Sequence, residues 1–167
     1  MTIVIPGMVT LSLLSLFYCS MLPETGRKAR MQAFERQYIA HRGFHDNRSE
    51  CPENSLPAFE HAIQMGYGIE LDVQLTKDGV PVVFHDWDLK RAAGVDRKIR
   101  DCTFEELQSY RLFGSSQTIP AFEEVLELAD GRTPLIIELK AEIVHRELCE
   151  KLSLIHISEP TRPISIS

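Results

Sequence analysis

Ile69-Glu70-Leu71-Asp72-Val73-Gln74-Leu75 alternates apolar and polar residues at every step, apolar at the odd positions and polar at the even ones. A period of two is that of an extended strand, so this stretch commits the chain to a sheet and puts Glu70, Asp72 and Gln74 on one face. Two acids side by side on that face repel each other unless positive charge stands over them. A bound metal ion is the simplest source. A half-exposed strand with a solvated acidic face has the same pattern, and the surrounding sequence must decide between the two.

Before it, Gln37-Tyr38-Ile39-Ala40 reads as a buried strand that ends at His41-Arg42-Gly43, where the glycine suits a sharp exit turn. After a polar loop to Asn54, Ser55 can cap a helix and Pro57 fits its first turn. Leu56, Phe59, Ala62 and Ile63 make the apolar stripe of that helix, and Gly66 and Gly68 stop it. Strand, helix, strand over so short a span is a βαβ unit, which requires parallel strands.

After the acidic strand, Thr76-Lys77-Asp78-Gly79 carries the Asp-Gly hairpin signal. A two-residue turn pairs Leu75 with Val82 and Asp72 with His85, which predicts the His85 imidazole beside the Asp72 carboxylate. Pro81 lacks a backbone donor, so residues 80–84 form an outer arm. Thr103-Phe104-Glu105-Glu106 has capping-box spacing. Pro120 opens a helix with Phe122, Val125, Leu126 and Ala129 inward, stopped near Gly131. Residues 134–140 are a further strand with Glu138 and Lys140 on one face.

The chain divides into three parts. Residues 3–22 carry no charge and as a helix would cover about 30 Å, the hydrocarbon thickness of a bilayer. A secretory signal is the rival reading, but no Lys or Arg precedes Arg27. Residues 1–30 are therefore expected to be a membrane anchor with its basic flank. Arg27, Lys28, Arg30 and Arg36 after the span put the domain that follows on the cytoplasmic side of a single-pass protein. Residues 31–152 form the globular domain. Residues 153–167, with two prolines and no usable period, read as a non-native or disordered tail that resembles translated sequencing-adaptor DNA.

A net charge of -6 argues against a nucleic-acid partner and leaves room for an anionic small molecule. Cys51, Cys102 and Cys149 are scattered without a CxxC pair, so neither a zinc site nor a disulfide framework is indicated. No sequence feature sets an oligomeric state.

Each inferred strand or arm ends in ionisable residues: His41-Arg42, Glu70 with Asp72, His85-Asp86, and Glu138 with Lys140. In parallel α/β folds the C-terminal strand ends carry the chemistry. Any one of these could be a turn residue or a solvated acid; four in one array are poorly explained by coincidence. Glu70, Asp72 and Glu138 make an oxygen site for a hard cation, Mg2+ or Ca2+. Arg42 and Lys140 are donors suited to a phosphate, and His41 and His85 can exchange protons near neutral pH. Metal, phosphate clamp and histidine pair together imply phosphodiester cleavage.

Tyr38-Ile-Ala-His-Arg-Gly43, Pro52-Glu-Asn-Ser-Leu-Pro-Ala-Phe59, Glu70-Leu-Asp-Val73, Thr76-Lys-Asp-Gly-Val-Pro-Val-Val-Phe-His-Asp86 and Ile137-Glu-Leu-Lys140 resemble, in this order, the motifs of the glycerophosphodiester phosphodiesterase family, in its bacterial, membrane-anchored form. The resemblance runs from about Tyr38 to Lys140 and implies an α/β TIM-barrel (β/α)8 fold. It implies cation-dependent hydrolysis of glycerophosphodiesters to sn-glycerol 3-phosphate and an alcohol. Within it His41 and His85 are the acid/base pair, Glu70, Asp72 and Glu138 hold the metal, and Arg42 and Lys140 contact the phosphate. Glu53 and Asn54 brace the first loop. The nucleophile is water or the substrate's own glycerol hydroxyl.

Such a barrel typically takes about 250 residues, whereas only about 115 follow the anchor before the tail, enough for three or four strands. The N-terminal part alone exposes a sheet edge and apolar surface, so the chain by itself is expected to be unstable or inactive. The rival readings are a phospholipase D-like or lysophospholipase D-like enzyme on the same scaffold, and an inactive membrane-anchored fragment.

Overall fold

A computed structural model of the chain describes residues 37–140 and 164–166. β1 (Ile39–His41), α1 (Leu56–Gln64) and β2 (Gly68–Leu75) form the expected βαβ unit, with Ala40 opposite Ile69 and His41 opposite Glu70 in a parallel pair. Ser55 caps α1 by accepting a hydrogen bond from the Ala58 amide, and Pro57 occupies the first turn, where no intrahelical donor is needed.

β4 (Leu135–Leu139) lies parallel to β2 on its other edge and sets Glu138 opposite Asp72. β5 (Ile164–Ile166) pairs parallel with β4, so a segment expected to lack regular structure contributes a short strand. β3 (Pro81–Val83) runs antiparallel to the end of β2 and stands off the β1-β2-β4-β5 order, as Pro81 requires of an outer arm. The order and direction are those of the opening strands of a parallel barrel.

The alternation of β2 sorts its two faces. Ile69, Leu71 and Val73 are fully buried against Phe59 and Ala62 of α1 and against Phe122, Val125, Leu126 and Ala129 of α4 (Phe122–Ala129). Burying each such large side chain contributes about 1.5–3 kcal/mol. The opposite face carries Glu70, Asp72 and Gln74.

A second apolar cluster forms where β3 leads into short helices. Val82, Phe84, Leu89, Ile99, Cys102 and Leu107 meet there, around α2 (Lys90–Ala93) and α3 (Phe104–Leu107). α3 has the expected capping box between Thr103 and Glu106.

The hairpin register differs from the expected one by one residue. Val73 faces Val83, Gln74 faces Val82 and Leu75 faces Pro81, so Phe84, not His85, comes opposite Asp72 and donates its amide to the Asp72 carbonyl at 2.9 Å. A two-residue type I′ turn needs positive φ at both central residues, and only Gly79 has it, at 76°. Asp78 stays right-handed because its carboxylate accepts from the Thr76 hydroxyl and, at 3.1 Å, from the Phe104 amide that opens α3. The loop therefore takes a third residue, and the Thr76 hydroxyl accepts the Val80 amide across it at 2.9 Å.

Residues 3–22, expected to span a membrane, lie outside the described residues. Among the described residues no helix is long and apolar enough to cross one.

Candidate active site

Glu70, Asp72 and Glu138 each present a carboxylate oxygen within 4.8 Å of the others. The first two come from alternate positions of β2 and the third from the register neighbour of Asp72 on β4. Asp72 is 1% exposed, whereas the Glu138 side chain is 46% exposed and opens the group to solvent. Burial, with the Asp72 carboxylate beside it, pushes Glu70 above its ordinary carboxylate value.

Cations stand around the acids. Arg42 Nε lies 3.4 Å from Asp72 Oδ2, and Asn54 Nδ2 donates to the same oxygen at 3.1 Å. Lys140 Nζ lies 3.2 Å from Asp72 Oδ1 and donates to Glu138 Oε1 at 2.5 Å. That hydrogen bond holds Glu138 below its ordinary value. Burial works against the Lys140 charge, but Glu138 and Asp72 outweigh it and raise the ammonium above its ordinary value. The Arg42 amide also donates to Glu70 Oε2 at 3.2 Å.

The loop that carries Arg42 is held in a rare conformation. Arg42 and Asn54 are both left-handed, with φ 57° and 55°, and the Asn54 amide donates to the Arg42 carbonyl at 3.0 Å. Such backbone is costly for a non-glycine residue and persists where the surroundings over-determine it.

The two histidines approach the acids from a strand end and from a loop. His41 ends β1, 67% exposed, with Nε2 3.8 Å from Glu70 Oε2. His85 stands just past β3 and not opposite Asp72, the correction that follows from the hairpin register, and it shares a cleft with Glu138. Gln74 fixes this loop by donating to the carbonyls of Phe84 and Asp86 at 2.8 and 2.9 Å, on either side of His85. The His85 Nδ1 is 2.6 Å from Asp86 Oδ1. His85, Asp86, Trp87, Arg91, Glu138 and Lys140 line a cleft of about 670 Å3.

The donor set suits a divalent cation. Burial and the charges of Asp72 and Glu138 raise Glu70, a cost that a doubly charged ion relieves, and all the donors are hard oxygens. Asp72 Oδ1 is buried and receives no well-directed hydrogen bond among the described residues, which leaves a lone pair for such an ion.

The sequence profile of the glycerophosphoryl diester phosphodiesterase family matches residues 41–157. The chain belongs to this family. It is 45% identical over 109 residues to a glycerophosphodiester phosphodiesterase of Bacillus altitudinis, covering 61% of this chain and 43% of that one. It is 35% identical over 147 residues to a lysophospholipase D of Homo sapiens, covering 80% of this chain and 44% of the relative. Among solved structures, an Oleispira antarctica phosphodiesterase in complex with the product sn-glycerol-3-phosphate superimposes with a TM-score of 0.70 at 30% identity, over 81% of this chain and 58% of that one. A glycerophosphoryl diester phosphodiesterase from Parabacteroides distasonis gives 0.66 at 33% identity, over 78% and 46%. The chain thus spans about half the length of the relatives it matches, and the described sheet is part of a TIM-barrel-type phosphodiesterase fold.

In this family member Glu70, Asp72 and Glu138 come together with His41, Arg42 and Lys140 beside them, and His85 lies in the cleft that Glu138 and Lys140 also line. Glu53 and Asn54 brace the first loop as expected: Glu53 accepts from Arg42, Asn47 and Arg91, and Asn54 from its own side binds Asp72. Arg91 and the clamp role of Asp86 were not legible, because both fall in a charged stretch with no period. The short spacing between them, which lets Arg91 Nε reach Asp86 Oδ2 at 2.6 Å, was the available signal.

Proposed function

We propose that this site carries out cation-dependent hydrolysis of glycerophosphodiesters to sn-glycerol 3-phosphate and an alcohol. The observation that carries the reading is the closure of Glu70, Asp72 and Glu138 to within 4.8 Å, with Arg42 and Lys140 on the same acids, His41 beside Glu70 and His85 in the cleft with Glu138. The glycerol-3-phosphate complex of the Oleispira antarctica relative supports the substrate class.

Glu70, Asp72 and Glu138 would hold Mg2+ or Ca2+, which when bound supplies Lewis-acid polarisation of the phosphoryl oxygens. Arg42 and Lys140 bind the phosphate and orient it, with charge-assisted hydrogen bonds. One histidine takes the proton of the nucleophile, water or the substrate's glycerol hydroxyl, and the other gives a proton to the leaving alcohol. His41 beside Glu70 and His85 in the cleft with Glu138 support this division of labour.

Phosphorus NMR of glycerophosphocholine incubated with Mg2+ or Ca2+ and the domain extended to the full length of its relatives tests the proposal, because the chain by itself is expected to be unstable or inactive. The expected result is glycerol 3-phosphate, lost with chelator and in His85→Ala. Hydrolysis that persists in His85→Ala overturns the assignment.

A lysophospholipase D reading is favoured by Trp87, 43% exposed on the cleft together with Leu139, an apolar rim that an acyl chain could use. Relative turnover of glycerophosphoethanolamine and lysophosphatidylethanolamine separates the two. For location, the uncharged run 3–22 followed by Arg27, Lys28, Arg30 and Arg36 supports a membrane-anchored domain facing the cytoplasm. Protease accessibility in sealed vesicles tests that orientation.

A further inference from the structure

An unbroken chain of charged hydrogen bonds connects the His85 loop to the Arg42 loop. Arg91 Nε donates to Asp86 Oδ2 at 2.6 Å, while Nη2 and Nη1 donate to Glu53 Oε1 and Oε2 at 2.5 and 3.2 Å. Glu53 in turn accepts from Arg42 Nη1 at 3.1 Å. At the other end Asp86 Oδ1 meets His85 Nδ1 at 2.6 Å.

A guanidinium is suited to this post because its rigid fork serves two carboxylates at once, which a lysine ammonium does not reproduce. An ionised carboxylate only accepts, so Asp86 fixes the proton of neutral His85 on Nδ1 and leaves Nε2 as the basic atom for the cleft. Gln74 holds the backbone on either side of His85, yet it touches neither the imidazole nor the Asp86 carboxylate among the described hydrogen bonds. The rotamer of Asp86 therefore depends on Arg91.

We infer that Arg91 is a positioning residue: by holding the Asp86 carboxylate it sets the tautomer and ring orientation of His85, and through Glu53 it keeps this loop in register with the Arg42 loop. The consequence for turnover rests on His85 acting as an acid/base group; the tautomer does not. Arg91 is 45% exposed, with its guanidinium carbon 5.2 Å from the Phe113 ring, so an apolar replacement fits the site.

The test is nitrogen NMR of the imidazoles in the chain and in Arg91→Met, with steady-state kinetics alongside. Neutral His85 is expected as the Nδ1–H tautomer in the native chain and as a mixture rich in Nε2–H in Arg91→Met. A kcat about 10- to 100-fold lower, with KM changed less than about threefold, is expected in the variant. Arg91→Lys recovers only part of the loss. Arg91→Gln, which keeps polarity but drops the fork, gives the same readings if the Met variant does not fold. An unchanged His85 tautomer in the folded variants overturns the inference, as does full kcat per folded molecule with only Tm lowered. A tautomer shift in a chain that hydrolyses nothing upholds the inference and counts against the proposed function instead.

Discussion

The Lys140 ammonium stands 3.2 Å from Oδ1 of Asp72 and is hydrogen-bonded to Glu138, two of the three acids that converge on one point. A bound divalent ion shares both carboxylates with Lys140, and the two cations repel. Lys140→Met is therefore expected to tighten divalent-ion binding by about tenfold, the scale of one partly screened charge pair. The same change removes the phosphate donor proposed above and is expected to lower kcat/KM by about 10²-fold. Calorimetric titration beside kinetics checks both; equal or weaker ion binding contradicts the arrangement.

Gly43 follows the His41-Arg42 pair with φ 83°, and a Cβ there would stand 2.8 Å from the carbonyl carbon and Cβ of Ala58 in α1. The backbone of α1 cannot give way cheaply, and the left-handed φ adds strain of its own. Gly43→Ala is expected to cost about 2 kcal/mol or more, measured by urea unfolding. A loss below about 0.5 kcal/mol, the scale of an ordinary surface change, contradicts the close approach of loop and helix.

Glu53 sets an acid limit on stability. Burial pushes its carboxyl up, but hydrogen bonds from Arg91 and Asn47 and the charges of Arg91 and Arg42 outweigh it and bring it from 4.5 down to about 2. A depressed acid contributes stability that is fully present above its unfolded value and lost as pH falls through the folded one. The window is thus from pH 4.5 down to about 2, and the contribution is on the order of 3 kcal/mol. Unfolding at pH 6 and pH 3 should show Glu53→Gln less stable than the native chain at pH 6, with a shallower decline toward pH 3. Parallel declines in the two proteins contradict the linkage.

The parts of the fold that were legible in the sequence are those where one local rule acts alone. The period of β2, the Ser55 cap and Pro57 of α1, the Thr103 capping box and the edge role of Pro81 each follow from a few adjacent residues, and each appears where expected. The hairpin register did not follow, because Asp78 is claimed by the Phe104 amide far along the chain, and that tertiary contact decides the turn.

The three acids were legible because they sit on β2 and β4, where alternation fixes the face, and Arg42 and Lys140 because each directly follows the end of a strand. Arg91, Asp86 and the binding of Asn54 to Asp72 were not, since loop side chains meet through tertiary geometry that no sequence period encodes. The initial puzzle of the acidic face also has a fuller answer. Arg42 and Lys140 supply part of the positive charge, and the three carboxylates retain the closeness that a divalent ion needs, with Asp72 Oδ1 ion-paired to Lys140 but receiving no well-directed hydrogen bond among the described residues.

The most direct measurement is calorimetric titration of the chain with Mg2+ and with Ca2+, beside Asp72→Asn and Glu138→Gln, the latter at a side chain open enough to leave the fold intact. The account predicts one ion bound per chain in the native protein, no measurable binding in Asp72→Asn, and binding weakened by about 10-fold or more in Glu138→Gln. Equal affinity and stoichiometry in all three proteins, or no binding by the native chain, would contradict it.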